Sequence, residues 1–448
     1  MSTQGGLHGR VMPSWDDRPM IQRSDLLLTA LLSSGLSLVA SARWGREPDP
    51  PPAATERDVD WWLTFDAEGA SPILVERRRI VFRAHSPEVR IRLTNRREGE
   101  SVPILVEVEN LNRDVVEPIG CVDSSWISPT TIAALCEVTA GRTVDFLLRD
   151  RHPGRPARFF VASDPELNFP VLDRLLERAR RERPDFVWIL GDLVQERGWM
   201  IEEYARCFEE AEVPVYAVPG NHDLVANRGE PPWEGRLEPF RRVFGPSHWT
   251  FEFRGAQYVV LDTAGHSLGA EQLDWLERTV AAGPRRPRLV LTHKPFADPR
   301  PGEDHVLEDP IDRARLIGLL RPVPDLVYYC GHIESCRTYE WEGIPVRIVG
   351  TLTFESKMAE ESEASNGYFE VCVEPGALPA EARVELSPST PLEIAGTYVF
   401  RIWPVWLDRR PSGGVGLAIV LVSILAIGRR LVRRGVALRR ESRLPVTA

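Results

Sequence analysis

The stretch that most constrains this chain of 448 residues is Pro219–Asp223, PGNHD, which directly follows the apolar run Val213–Val218. The run predicts a buried strand that ends at a sharp glycine turn. Asn221 and His222 would then lie where α/β sheets bind ligands, outside the carboxyl ends of the strands. Taken alone, the stretch is equally consistent with a tight turn held by local side-chain hydrogen bonds.

Four further polar motifs each follow an apolar run that predicts a strand. They are Ser163–Glu166, Gly191–Asp192, Thr292–His293 and Gly331–Glu334, which follow Phe159–Ala162, Phe186–Leu190, Leu289–Leu291 and Leu326–Tyr329. Helical stripes such as Val171 to Ala179 alternate with these strands and predict a sheet layered by helices. Five strand-end motifs that each supply Asp, Asn, His or Glu predict one shared site.

In order and spacing, these motifs resemble the signature of the calcineurin-like metallophosphoesterase superfamily, which runs D-x-H, G-D, G-N-H-[DE], a later H and G-H-x-H. The resemblance covers about residues 157–373. It implies a four-layer α/β/β/α sandwich that hydrolyses a phosphate mono- or diester. It also implies two divalent metal ions and a hydroxide that bridges them as the nucleophile.

The resemblance assigns seven metal ligands, divided between two positions that share one carboxylate. The bridging ligand is Asp192, the second position is completed by Asn221, His293 and His332, and the first position by Asp164, Glu166 and Glu334. Two catalytic residues complete the assignment. His222 faces the phosphate and protonates the leaving oxygen, and Asp223 orients His222.

The chain departs from the family signature twice, because Glu166 and Glu334 stand where the family has His. Both departures fall on the first metal position, and both supply an anionic oxygen ligand. Carboxylates favour Mn²⁺, Mg²⁺ or Ca²⁺ there, whereas Mn, Fe or Zn suits the second position. The alternative is a defective first position in a catalytically silent ectodomain that binds a phosphate ligand or a protein.

A linker at residues 43–56 and an all-β domain at 57–150 are predicted before the catalytic domain. Val89, Ile91 and Leu93 alternate with polar residues, which predicts a small β-sandwich of immunoglobulin or fibronectin type. The same domain order occurs in purple acid phosphatases. The position of the Tyr in their G-D-x-x-Y motif is Gln195 here, so iron–tyrosinate chemistry is not implied. Cys121 and Cys136 are the best candidates among six Cys for a disulfide.

Both ends of the chain predict contact with a membrane. Residues 1–42 end in an apolar run and Ala-Ser-Ala, as in a secretory signal peptide or an uncleaved signal anchor. A juxtamembrane segment, 374–411, leads to an uncharged run at 412–428, expected to be a transmembrane helix, and to an Arg-rich cytoplasmic tail at 429–448. We therefore expect a single-pass protein of a bacterial cell membrane with its catalytic domain outside the cytoplasm.

The distribution of charge limits the partners of the exported part. The chain has a net charge of −10; residues 1–42 carry none and residues 401–448 carry +8, which leaves −18 on residues 43–400. A surface of this sign repels polyanions, so general nucleic-acid binding is excluded. A phosphate-ester substrate must instead be held by metal ions or by local Arg side chains.

Overall fold

A computed structural model describes residues 62–195, 197–225, 236–282, 287–353 and 366–409. The expected signal segment 1–42, the linker 43–56, the transmembrane helix 412–428 and the tail 429–448 lie outside these residues. Among the helices in the described ranges, none combines the length and the apolar character needed to cross a membrane.

The first domain is a sandwich of two sheets with the strand orders β1-β4-β9-β6 and β2-β3-β5-β8-β7. Along β4, Val89, Ile91 and Leu93 are buried, and the polar residues between them face outward, as the alternation predicts. The nine strands are β1 Leu63–Glu68, β2 Ala70–Glu76, β3 Arg79–Ala84, β4 Val89–Asn95, β5 Val102–Glu109, β6 Val116–Ile119, β7 Asp123–Trp126, β8 Ile132–Val138 and β9 Thr143–Asp150.

The second domain is mixed α/β and contains two further sheets, ordered β12-β11-β10-β19-β20 and β13-β14-β15-β16-β18-β17. Strands β10 to β12 are parallel to one another, as are β14, β15, β16 and β18. The strands are β10 Ala157–Ala162, β11 Phe186–Leu190, β12 Val215–Val218, β13 Trp249–Phe253, β14 Ala256–Val260, β15 Arg288–Leu291, β16 Leu326–Cys330, β17 Cys336–Trp341, β18 Ile344–Val349, β19 Gly367–Val373 and β20 Ala380–Glu385.

Helices cover the outer faces of both sheets. Along β10, Phe159 and Val161 face the core between the sheets, whereas Phe160 and Ala162 pack against the outer helices of the first sheet. The helices are α1 Phe169–Glu182, α2 Ile201–Glu209, α3 Glu238–Phe244, α4 Gly269–Ala282, α5 Pro310–Leu320, α6 Pro391–Thr397 and α7 Trp403–Arg409. Short 3₁₀ turns occupy Gly198–Met200 and Asn221–Asp223, and a π turn, Tyr398–Ile402, joins α6 to α7.

The two domains share a continuous apolar core and several buried polar contacts. The guanidinium of Arg254 pairs with Asp150 at 2.8 Å and with Asp185 at 2.9 Å. The indole N–H of Trp249 donates to the carbonyl of His85 at 2.9 Å. The sandwich therefore supports the catalytic domain directly.

The C-terminal part of the described chain differs from the expected juxtamembrane segment. Strand β20 extends the sheet that contains β10. Ile402 and Trp403 bury their side chains against the helices on the outer face of that sheet. Arg401 lies 3.0 Å from Asp173 and ties the π turn to α1. Residues up to the end of α7 therefore belong to the folded domain.

The disulfide expected between Cys121 and Cys136 is absent, and both residues are free thiols. Cys136 is directed into the core of the sandwich, where burial raises the pKa of its thiol to about 12. A thiolate at Cys136 is therefore strongly disfavoured at neutral pH.

We expect His85→Phe to reduce the loss of stability in acid. Burial at the domain interface lowers the pKa of His85 from 6.5 to about 4. The unfolded chain therefore takes up the proton first, so the contribution of His85 is complete above about pH 6.5 and is lost as the pH falls. At pH 5 the loss is about 2 kcal/mol.

Urea unfolding at pH 7 and pH 5 measures this difference. The exposed His152 provides the matched control, because His152→Phe should retain the wild-type difference. An unchanged difference in His85→Phe would show that His85 does not contribute.

Candidate metal centre

The predicted site residues lie on loops that follow parallel strands of both sheets. Asp164 follows β10 and Asp192 follows β11, whereas His293 follows β15 and His332 follows β16. These loops meet because carboxyl ends of parallel strands lie at the same edge of a sheet. The first sheet thus supplies Asp164 and Asp192, and the second sheet supplies His293 and His332.

Two groups of candidate ligand atoms share Asp192. In one group, single ligand atoms of Asp192, His293 and His332 lie within 4.8 Å of one another, and in the other the same holds for Glu166, Asp192 and His222. Asp164 and Glu334 lie outside these two close groups. The sharing of one carboxylate is the arrangement that a pair of metal positions requires.

The hydrogen bonds of His293 define its tautomer. Its Nδ1 lies 2.8 Å from the carbonyl oxygen of Leu190, which only accepts, so Nδ1 carries a proton. Its Nε2 lies 2.9 Å from Oδ1 of Asn221 and 3.1 Å from Oδ2 of Asp192. Burial opposes protonation of Nε2, but Asp192 raises the pKa of His293 to about 9. A nitrogen that faces two oxygens needs either this second proton or a cation, so the donor set fits a metal ion.

The four carboxylates predicted for the first position are each at most 6% exposed: Asp164, Glu166, Asp192 and Glu334. Burial raises the pKa of Asp164 well above its usual value, and Asp192 and Glu334 add to this increase while His293 opposes it. Ionised carboxylates are costly to bury unless cations compensate them. This donor set therefore fits a divalent ion that prefers oxygen ligands.

Backbone strain is concentrated at the site. Outside glycine, φ between +20° and +160° disfavours most side chains and costs of order 1–3 kcal/mol. Such values occur at Asp164, Glu166, Leu167, Asp192, Gln195, His332 and Glu334, with φ from 40° to 68°. The surrounding structure must compensate this cost, which is typical of a functional site.

Two motif glycines allow the loops to approach closely. A Cβ on Gly220 would lie 2.2 Å from Oδ1 of Asp192, and a Cβ on Gly331 would lie 1.7 Å from Oγ of Ser163. Neither position has room for a side chain. The glycines are therefore required for packing around the carboxylates, beyond their role as turn residues.

The carboxylate of Asp223 bonds to backbone groups, in contrast to the expected contact with the His222 imidazole. It accepts hydrogen bonds from the N–H groups of Leu193 at 2.8 Å, Val194 at 3.2 Å and Gly220 at 2.9 Å. Asp223 thus joins the loop after β11 to the loop after β12. Its influence on His222 passes through the position of the loop.

His222 is held next to Asp192 through its backbone. Its backbone N–H donates to Oδ1 of Asp192 at 2.8 Å, and its side chain is partly exposed. The bond fixes the start of the His222 side chain relative to the carboxylate shared by both groups. An imidazole in this position can reach a substrate that enters from solvent.

Three contacts between side chains of the site are not predicted by any sequence motif. The ring of His305 lies 5.1 Å from the ring of His332. Its loop is held by Asp298, which accepts from the His305 N–H at 3.0 Å and pairs with Arg300 at 2.7 Å. The only sequence signal was a His within a charged insertion, 298–309, after the His293 motif. The other two contacts are those of Gln195 and Thr353 with Glu166, at 2.9 and 3.1 Å.

The ammonium group of Lys294, the residue after His293, is bound by oxygens of the protein. Its ammonium group lies 2.7 and 2.8 Å from the two oxygens of Glu308 and 3.0 Å from the carbonyl of Gly265. These contacts compensate the cost of burying the ammonium group.

Residues 157–334 match the family model described as calcineurin-like phosphoesterase. This part of the chain is therefore a calcineurin-like metallophosphoesterase domain, and the expected superfamily is confirmed. Proteins of this family use a dimetal centre, and the shared-carboxylate groups above supply candidate ligands for one.

Curated relatives include two phosphodiesterases. The 3',5'-cyclic adenosine monophosphate phosphodiesterase CpdA of Escherichia coli strain K12 is 28% identical over 178 residues, which are 38% of this chain and 62% of that protein. A probable glycerophosphodiester phosphodiesterase, GpdQ of Arcobacter nitrofigilis, is 29% identical over 187 residues, 37% of this chain and 62% of the relative. This chain thus spans less than two thirds of the length of each.

Among solved structures, a purple acid phosphatase, PPD1 from yellow lupin seeds, is similar at 13% identity with a TM-score of 0.45. The similarity covers 67% of this chain and 70% of that one.

We expect divalent metal to stabilise the protein against unfolding, because it would compensate the buried carboxylates. At about 100 times its dissociation constant, Mn²⁺ should add about 2.7 kcal/mol to the free energy of unfolding. Calorimetry of chelator-treated protein, before and after addition of Mn²⁺, measures this gain. His293→Ala, which removes a ligand, should gain less. A wild-type protein that responds to none of Mn²⁺, Mg²⁺, Ca²⁺ and Zn²⁺ would contradict the metal centre.

Proposed function

We propose that this chain is a metal-dependent phosphoric ester hydrolase. The observation that carries the proposal is that Asp192 is shared by two close groups of side chains, one with His293 and His332 and the other with Glu166 and His222. When bound, two divalent ions would neutralise phosphate oxygens and lower the pKa of an attacking water. The protein would supply the positions and the proton transfers.

The first metal position would be held by Asp164, Glu166 and Glu334, and the second by Asn221, His293 and His332, with Asp192 between them. We propose Mn²⁺, Mg²⁺ or Ca²⁺ for the first position because its ligands are carboxylates, and Mn, Fe or Zn for the second. His222 would donate a proton to the leaving oxygen, and Asp223 would hold the loop that positions His222.

A small phosphodiester is the substrate class that we favour within the wider set of mono- and diesters. Support comes from the named activities of the two curated relatives, a cyclic nucleotide and a glycerophosphodiester phosphodiesterase. The charge of −18 on residues 43–400 also disfavours long polyanions. Hydrolysis of bis(p-nitrophenyl) phosphate should exceed that of p-nitrophenyl phosphate.

We further propose that the catalytic domain is anchored at the outer face of a bacterial cell membrane. The support is in the sequence: the signal-like residues 1–42, the uncharged run 412–428, and the Arg-rich segment that follows it. A substrate would then have to be present outside the cytoplasm.

We expect His222→Ala to lower kcat by roughly 10²–10⁴, the usual range for the loss of a general acid. Metal content, measured by mass spectrometry, should remain near the wild-type value because His222 is assigned to proton transfer. The exposed His152 supplies the control variant His152→Ala. Wild-type kcat in His222→Ala would exclude the assigned role. A wild-type protein that binds metal but hydrolyses neither ester would favour the catalytically silent ectodomain.

Protease added to intact cells is expected to remove the catalytic domain and to leave the tail 429–448 protected. The reason is that the Arg cluster should remain on the cytoplasmic side of the run 412–428. Antibodies against an epitope fused to each end would follow the fragments. Digestion of the tail from outside, or complete protection of the catalytic domain, would disprove this topology.

A further inference from the structure

The carboxylate of Glu166 is held on one oxygen by two neutral donors. Nε2 of Gln195 lies 2.9 Å from Oε2, and Oγ1 of Thr353 lies 3.1 Å from the same atom. Within the described part of the chain, Oε1 accepts no hydrogen bond from protein. We propose that Gln195 and Thr353 are positioning residues that fix Glu166 as a one-oxygen ligand of the first metal position. The proposal rests on the proposed metal centre.

Glu166 needs such donors because a glutamate side chain is flexible. Glutamate has three rotatable side-chain bonds, and ordering it costs up to about 2 kcal/mol. It can also bind a metal through one oxygen or through both. Two donors on Oε2 restrict the rotation and leave Oε1 as the free oxygen. The group formed by Glu166, Asp192 and His222 shows that a Glu166 oxygen lies within 4.8 Å of the shared carboxylate.

The charge around Glu166 makes neutral donors suitable. An oxygen of the buried Asp192 carboxylate lies within 4.8 Å of an oxygen of Glu166, so the two groups repel each other when both are ionised. N–H and O–H donors offset part of this repulsion without adding a competing anionic ligand. An Arg or Lys in their place would also compete with the metal for the carboxylate.

Both donors are themselves fixed by the loops that build the site. Gln195 follows Asp192 by three residues and has φ of 45°, and the N–H of Glu166 donates to the carbonyl of Asp192 at 3.0 Å. Thr353 is 3% exposed, and its carbonyl accepts from Asn366 at 2.8 Å. The contacts therefore join the loops after β10, β11 and β18 at one carboxylate oxygen.

Calorimetric titration of the metal-stripped full chain with Mn²⁺ tests the proposal. Glu166→Ala identifies the binding step of the first position, and His293→Ala identifies that of the second. Gln195→Met and Thr353→Val remove each donor at nearly constant volume, and we expect each to weaken the first step by about 10- to 100-fold. Thr353→Ser, which keeps the hydroxyl, should restore the affinity. Thr338→Val, on the exposed side of β17, is the matched control and should change neither step.

A loss confined to the step that Glu166→Ala abolishes supports the proposal. Equal losses in both steps would indicate general loosening of the fold and would overturn it, as would unchanged affinity in Gln195→Met and Thr353→Val. The same conclusion follows if Glu166→Ala abolishes no step. Since the readout is metal affinity, this result is separate from hydrolysis. A chain that shows the selective loss but cleaves no ester would contradict the proposed function and leave the positioning role intact.

Discussion

The arrangement of the whole site depends on the position of one carboxylate, that of Asp192. It lies at the end of β11, in a strained conformation with φ of 56°, and is only 2% exposed. Burial alone would raise its pKa, but His293 holds the pKa of Asp192 below the usual value. One of its oxygens accepts the backbone N–H of His222, and the other faces His293. Each sheet of the catalytic domain therefore contacts the other through this group, and a shift of either sheet would separate the two ligand groups.

In the proposed first position, Glu166 and Glu334 would place two anionic groups where the family signature has His. Imidazole is neutral when it binds a metal, whereas each carboxylate brings a negative charge. The additional charge strengthens the attraction for a cation, but it also repels the phosphate of a substrate. Hydrogen bonds from Gln195 and Thr353 reduce the charge density on one of these carboxylates.

Strand-end motifs made the core of the site predictable from sequence, because such motifs lie next to their strands and their order follows the chain. Contacts between loops distant in sequence were not predictable in this way. Thr353 reaches Glu166 across a separation of 187 residues, and neither residue carries a motif for that contact. The contact of His305 with His332 likewise has no sequence motif that predicts it.

The start of α6, near the end of the described chain, has a sequence signature that could have been recognised. Thr390 accepts from the N–H of Glu393, and the Glu393 side chain accepts from the N–H of Thr390, with Pro391 at the first helical position. This capping box predicts a helix start, yet the whole of 374–411 was assigned to a juxtamembrane segment. The packing of α6 and α7 against the outer helices depends on tertiary contacts, and the sequence alone does not specify them.

The contact between Asn110 and β12 indicates why the catalytic domain would not behave well as a separate fragment. The side-chain amide of Asn110 donates to the carbonyl of Val215 at 3.1 Å and accepts from its N–H at 2.9 Å, as a peptide group of a neighbouring strand would. β12 is the outermost strand of its sheet, and exposed outer strands recruit other chains by pairing. The sandwich domain thus protects the catalytic sheet from intermolecular strand pairing. A fragment limited to residues 157–334 would lack this protection. It would also lack β19 and β20, which complete the opposite side of this sheet, so both borders of this sheet would be open to neighbouring molecules in solution.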